Sequence, residues 1–567
     1  MCIDVVPNRN SPPAILLRES FREGGKVRKR TVANLSGLSM QQVDSLRLLL
    51  KGRPLAPVDE LFDIVASRHH GHAAAVVTAI KRLKLDKLLA ANACRQRQLA
   101  LAMIAARIID PRSKLATATC LTTTTLPELL DAQDATEDEL YTAMDWLLER
   151  QEAIEAGLAK RHLHEGAMAL YDLSSSYLEG SHCPLAAYGY NRDGKKGKLQ
   201  VNYGLLTDRR GCPVAVSVFK GNVGDTKTLM PQVRMLRERF GLADFVLVGD
   251  RGMITQKQVN ELREEDVQWI AALRPGAIDK LVSDNSIQPT PFDDRNLAEI
   301  EHDDFPGERL VVCRNPELAK RRAAKRRSLL EATTKELEKV RGMVESGRLQ
   351  DDGKIGVRVG RVVNKHKVAK HFTLDIGDGH FAFETNEQSI ADEAALDGLY
   401  VVRTSLPADR MQRDDVVRSY KQLTQVERCF RSMKTMDLHV RPIYHRTEDR
   451  VRAHILLCTL AYYVRWHMLE AWRPLLLCDE QLDAKAQRDP VAPAKRSAAA
   501  DNKAATKRTD DGERAHSFQT LLRRLATIVR NTCRRPAAEG AEATIDVDTR
   551  PTELQQKALD LVASIQL

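Results

Sequence analysis

The period of the apolar pattern changes once along this chain, and that change constrains the fold more than any other feature. From about residue 75 to 163, apolar residues recur at three- and four-residue steps. The segments VVTAIKRLKLDKLLAAN, RQLALAMIAARII and DELYTAMDWLLERQEAIEAGLAKRHL all read this way, and the spacing predicts amphipathic helices. At Ala167 the texture becomes short apolar runs and alternating segments. AMALYDLSSS, KLQVNYGLLTD and PVAVSVFKG are three strands, the last two joined by the polar turn DRRGC. DTKTLMPQVRMLRERFG is then a helix, DFVLVGD a buried strand, ITQKQVNELREE a helix and VQWIAALR a strand. Three antiparallel-looking strands followed by alternating helix and strand predict an α/β fold, a mixed sheet flanked by helices.

At 567 residues the chain exceeds one hydrophobic core, and its texture divides it into seven segments. Residues 1–60 form an extended basic segment with a turn at Gly24-Gly25 and then a small helix, and 61–163 a helical domain that suits either the binding of DNA ends or a plain helical scaffold. Residues 164–274 carry the first part of the mixed sheet. Residues 275–398 interrupt the strand–helix rhythm as an inserted α+β segment, with a charged helix from Pro316 and strand-like GVRVGRVV and HFTLDIG. The sheet resumes in 399–478 with the strand DGLYVVRTS, a long helix from about Arg413 to Lys434, and an apolar helix, VRAHILLCTLAYYVRWHML. Residues 479–516, rich in Ala, Lys, Asp and Pro, read as a flexible linker, and 517–567 as a helical segment that opens with the amphipathic SFQTLLRRLATIVRN.

Bulk properties exclude more than they assign. No run of about 18 apolar residues exists to span a bilayer, and the start MCIDVVPNRNSPP lacks a secretory pattern. Ten scattered cysteines without a C-x-x-C pair argue against a zinc ribbon or disulfide framework and for a reducing compartment. A net charge of +10 is compatible with nucleic acid and proves nothing alone.

The chemistry lies in three acids. Asp172 and Asp250 each end an apolar strand, in LYDLS and LVGDRG, and ligands of open α/β sheets bind beyond the carboxyl ends of strands. A third carboxylate comes from YKQLTQVERCFRSMK, residues 420–434. At 100° per residue, Tyr420, Leu423, Glu427 and Lys434 fall within about 60° of arc, with Arg431 beside them and Arg428 flanking. Such a stripe makes a poor core face but can set a carboxylate on a metal and cations on phosphates.

This segment resembles the Y-x2-R-x3-E-x6-K signature of a large group of bacterial insertion-sequence transposases with a ribonuclease H-like core. Tyr420, Glu427 and Lys434 match it, and Leu423 stands where the signature has Arg. YDLSSSYLEG, GYNRDGKKGKLQVNYGLL, FKGNVGDTKTL, VGDRGM, RPIYHRTEDRVRAHILLCTLAYYV and the N-terminal REGGKVRKRTVANLSGL also resemble the group. The resemblance implies a ribonuclease H-like fold and an Asp172, Asp250 and Glu427 triad that is both catalytic and metal-binding. It implies two Mg²⁺ ions, with Mn²⁺ as substitute, and action as a homodimer on double-stranded transposon ends and target DNA. Tyr420, Arg428, Arg431 and Lys434 are then the DNA contacts, and the setting is the bacterial cytoplasm, at the nucleoid. Two ions of this kind activate the attacking water or 3′-hydroxyl and stabilise the departing oxygen.

Several residues carry a second reading. Asp225, after Gly224 and before a helical run, reads as an N-cap before it reads as a fourth ligand. Asp193, in the turn NRDG, reads as structural, and His69, His70 and His72 as a surface loop. His454 and Trp269 read as core. The basic helix start with Lys320, Arg321, Arg322, Arg326 and Arg327 is a candidate grip on flanking DNA. Rival functions are a structure-specific nuclease with the same core, a catalytically dead DNA-binding descendant, and a phosphohydrolase. Ser174, standing where a D-x-D pair needs its second acid, argues against the last.

Overall fold

The computed structural model describes residues 1–9, 11–53, 62–284, 286–287, 296–482, 489–534 and 544–567. The chain forms two units, one of residues 1–68 with 529–549 and one of 69–528 with 550–567.

In the first unit, β1 (Cys2–Val6), β2 (Ala14–Glu23) and β3 (Lys26–Asn34) make an antiparallel sheet. The β2–β3 turn falls at Gly24 and Gly25, whose φ values of 57° and 80° are left-handed and cost a glycine little. The helix Met40–Leu50 starts at a reciprocal cap in which Ser39 and Gln42 satisfy each other's backbone N–H. β4 (Asp63–His69) belongs to a second sheet of this unit, described below.

The second unit opens with the anticipated helices, chiefly Gly71–Arg82, Arg95–Ile109, Glu137–Leu148 and Gln151–His162. The first three pack on the helix Glu448–Ala471, which is buried on nearly all sides, as its apolar middle ILLCTLAYYV requires. The sheet follows: β5 (Ala167–Tyr177), β6 (Gln200–Asp208), β7 (Pro213–Lys220), β8 (Phe245–Gly249) and β9 (Gln268–Ala272). β5, β6 and β7 are an antiparallel meander, β8 is parallel to β5, and β9 is parallel to β8. The resulting order β7-β6-β5-β8-β9 is that of the ribonuclease H fold.

Three further strands extend the sheet beyond β9. β10 (Leu297–Ile300), β11 (Arg309–Arg314) and, after the hairpin β12 (Phe372–Gly377) and β13 (His380–Thr385), β14 (Leu399–Thr404) complete the order β10-β11-β14-β9. The expected insert at 275–398 is therefore not one segment. Its first strands join the main sheet, and a separate apolar cluster forms between Leu337 and Phe381. That cluster also corrects the reading of GVRVGRVV as a strand, because these residues lie in the helix Asp352–His366. Ile355, Val359, Val362 and Val363 are its buried residues, at steps of four, three and one, the spacing of a helix face.

Other expectations change as well. Asp172 does not end its strand: the parallel pairing with β8 stops at Tyr171, while β5 continues against β6 to Tyr177. The long helix near 413–434 is divided into Arg413–Lys421, Leu423–Arg431 and a π-helical turn, Ser432–Met436. Within the expected linker, 483–488 lie outside the described residues, but Val491 and Lys503 are buried and Ala498–Thr506 is a helix. In the last segment the amphipathic helix covers Phe518–Leu525, and a second helix spans Glu553–Ala563. β15 (Val529–Arg534) and β16 (Thr544–Asp548) follow, and they complete the first unit's second sheet in the order β16-β15-β4. Among the described residues, no helix is long and apolar enough to cross a membrane.

Candidate active site

The parallel register of β5 and β8 brings two acids to one level. Tyr171 pairs with Gly249, so Asp172 and Asp250 are the next residue on each of two adjacent strands. The helix Leu423–Arg431 buries Val426, Cys429 and Phe430, and Phe430 meets the Tyr203 ring edge-on at 5.7 Å. That seating leaves Glu427 and Arg428 on the exposed side. Asp172, Asp250, Glu427 and Asp225 line one open cleft of about 450 Å³, together with Arg192, Asp193, Arg431, Lys434 and Arg441.

Position alone makes this cleft acidic, and its electrostatics follow. Asp172 Oδ1 accepts a hydrogen bond from the Leu173 N–H at 2.8 Å. Burial nonetheless pushes its carboxyl up to about 7, and the charges of Asp250 and Glu427 push the same way, against the Leu173 N–H and Arg192. Asp225 is held by Arg192, with Nη2 2.5 Å from Oδ1. A Cβ placed on Gly252 would lie 3.6 Å from Asp250 Oδ2 and 3.9 Å from Asp225 Oδ2, so both carboxylates overhang the same glycine. The Tyr420 hydroxyl reaches Asp250 Oδ1 at 3.5 Å, a weak contact.

A second acid organises the rim. Asp193 Oδ2 accepts the Tyr177 N–H at 3.1 Å, and its Oδ1 accepts from Lys434 Nζ at 2.9 Å and pairs with Arg441. Asn191 fixes the loop by accepting the N–H groups of Asp193 and Lys195 at 2.8 and 3.1 Å. The Arg192 N–H also donates to Ser175 Oγ at 3.2 Å. The loop thereby presents Arg192 to the carboxylates from a fixed backbone.

Several residues differ from their sequence reading. Asp225 is not an N-cap: Gly224 occupies that position, and the Asp225 carboxylate faces the cleft. Lys434 lines the cleft but is only 8% exposed, and Asp193 holds its ammonium; burial lowers its pKa against that pairing. The π-helical turn is the reason, since it breaks the 100° step that set Lys434 on the same face as Glu427. Arg431 lines the cleft and is exposed, whereas Arg428 is exposed with Nη1 3.3 Å from Gln425 Oε1. Asp193 is structural, as its turn implied, and Trp269 is in the core at 1% exposure. His454 is also buried, with Nε2 3.1 Å from the Val440 carbonyl. His72 is buried rather than in a surface loop. In the basic helix start, Arg326 is buried against Asp397 and Glu393, which removes it from any DNA grip. Arg192 and Arg441 went unread, because a loop cation carries no periodicity to reveal its partner.

Four carboxylates with few competing hydrogen bonds are hard oxygen donors, and they fit a divalent cation such as Mg²⁺ better than a soft one. The family described as "Transposase DDE domain" matches residues 172–464, just over half of the chain, and "IS1634 family transposase, N-terminal domain" matches residues 3–57. No curated protein sequence matches significantly. Among solved structures the chain is similar to the cryo-EM structure of a piggyBac transposase synaptic complex with hairpin DNA. That likeness has 8% identity over 80% of this chain and 76% of the other, at a TM-score of 0.34.

Proposed function

From the premise that this chain belongs to the DDE transposases and is a DNA transposase, we infer that Asp172, Asp250 and Glu427 form its catalytic, metal-holding triad. The observation that carries the reading is the convergence of these three acids, from two adjacent parallel strands and one helix, on a single open cleft. When bound there, a pair of Mg²⁺ ions, or Mn²⁺ in their place, supplies Lewis acidity to the scissile phosphate and lowers the pKa of the attacking oxygen.

The chain's own residues do the rest. Asp172, whose carboxyl burial raises to about 7, would hold a cation as the carboxylate, so binding there would release its proton. Arg192 pairs with Asp225 at the cleft, and Asp225 is a supporting acid rather than a member of the triad. Arg431 and Arg428 contact phosphates, and Tyr420 steadies Asp250. Lys434 and Arg441 act through Asp193 by holding the Arg192 loop. The substrates are the double-stranded inverted-repeat ends of the element, then target DNA, joined by a 3′-hydroxyl. The working form is a homodimer that pairs two ends, at the nucleoid in the cytoplasm.

Single-turnover cleavage of an end-containing duplex in Mg²⁺ tests this. Asp172→Asn, Asp250→Asn and Glu427→Gln should each lower the rate by about 10³-fold or more, the scale of several kcal/mol of charge stabilisation. End binding should change little. Asp225→Asn should retain measurable cleavage. A triad variant that cleaves like wild type would remove that residue from the site.

A further inference from the structure

A second group of ligand-type side chains converges outside the carboxylate cleft. His162 ends the helix Gln151–His162, Cys212 lies in the turn between β6 and β7, and His467 lies in the helix Glu448–Ala471. Cys212 Sγ is 3.9 Å from His162 Nε2 and 3.8 Å from His467 Nε2, and the three ligand atoms all fall within 4.8 Å of one another. Cys212 is fully buried, both imidazoles are half-buried, and the two rings are 5.7 Å apart. We propose that His162, Cys212 and His467 form a zinc site that ties the β6–β7 turn to the two helices.

The geometry is close to what the ion requires. Zinc holds sulfur at about 2.3 Å and imidazole nitrogen at about 2.0–2.1 Å, which in a tetrahedron sets ligand atoms roughly 3.3–3.6 Å apart. The two sulfur–nitrogen separations exceed that range by a few tenths of an ångström, within reach of side-chain torsions. One thiolate and two imidazoles select zinc over magnesium, whose preference is for oxygen. On binding, the thiol proton leaves to solvent and both imidazoles coordinate as neutral ligands. The Tyr463 hydroxyl, now 3.1 Å from His162 Nε2, gives up that contact, and water takes the fourth position. Asp208 accepts the Cys212 N–H at 2.9 Å and is itself paired with Arg210 at 2.9 Å, so the thiolate is the negative charge that the ligand set brings to the dication.

The turn also bears on the proposed active site. The carbonyl of Gly211, next to Cys212, accepts a hydrogen bond from Cys429 Sγ at 3.2 Å, and Cys429 lies two residues from Glu427 on the same helix. A metal on Cys212 would stiffen the support of that helix.

Titration of the purified, metal-stripped full chain with Co²⁺ is the test. One equivalent should produce near-ultraviolet thiolate-to-cobalt absorption and tetrahedral d–d bands, which Zn²⁺ abolishes and excess Mg²⁺ leaves unchanged. Cys212→Ser should lose the thiolate absorption, and His467→Gln should weaken binding by more than about tenfold. Asp172→Asn should bind like wild type, which separates this site from the carboxylate cleft. The absence of thiolate absorption in wild type, or its persistence in Cys212→Ser, would overturn the proposal.

Discussion

Arg431 and Lys434 show how far neighbouring residues of one motif can diverge. Arg431 is exposed on the cleft, whereas Lys434 is buried against Asp193. Arg431→Ala should therefore flatten the salt dependence of DNA-end binding by about one unit of slope, and Lys434→Met should leave the slope unchanged. Binding isotherms across a salt series distinguish them, and equal slope changes would sink this division of roles. Lys114 carries a different residue-scale consequence. Burial, then the neighbouring Arg107 charge, pushes its pKa from 10.5 down to about 7. The unfolded chain binds this proton more readily than the folded one between those values, so stability rises with pH from about 7 to 10.5 and is lower throughout below 7. Lys114→Met should raise the melting temperature at pH 7, with a gain that shrinks toward pH 10. A gain independent of pH would mean that the ammonium is not the cause.

Among the elements, β5 and the glutamate helix show what local pattern conveys and what it omits. The apolar run into Asp172 was legible, because a strand buried on both faces must be apolar almost continuously. Its continuation past the acid was not, since SSSY is polar and adds nothing to the apolar run; those residues are paired with β6 and mostly buried. Close packing across this pair sets a prediction. Gly204 lies opposite Leu173 on β6, and a Cβ there would overlap the Tyr171 ring. Gly204→Ala should cost about 1–3 kcal/mol through overpacking. It should also slow cleavage at temperatures where the chain stays folded, because Tyr171 adjoins Asp172. A urea midpoint and a cleavage rate both matching wild type would show that the ring moves aside freely. The single long helix divides at Gln422, and the 100° step fails at the π-helical turn, which no residue type in RSMKTM announces.

For the molecule as a whole, the informative surprise is how β10 and β11 extend the sheet on the far side of β14. A buried bidentate pair holds this extension: Arg403 on β14 donates through Nε and Nη2, each at 2.6 Å, to the two carboxylate oxygens of Glu308. Their side chains are 5% and 0% exposed. Glu308→Ala leaves a guanidinium uncompensated in the core and should cost about 3–5 kcal/mol, whereas Glu308→Leu with Arg403→Met should recover most of that loss. Chemical denaturation of the single and double variants measures both. A double variant as unstable as the single would mean that packing, not the stranded charge, sets the penalty.

The amino-acid sequence by itself determined the alternation of strands and helices, the mixed sheet, and the buried core helix. Each is a local property: periodicity reports which face of an element is apolar, and that face must be covered wherever the element goes. Only the tertiary structure decided that Arg192 meets Asp225, that Asp193 gathers Lys434 and Arg441, and that the first part of the expected insert belongs to the main sheet. It alone brought residues 162, 212 and 467 together. These are meetings of polar side chains from segments far apart in sequence, and no period within one segment records where the sheet order will place its neighbour.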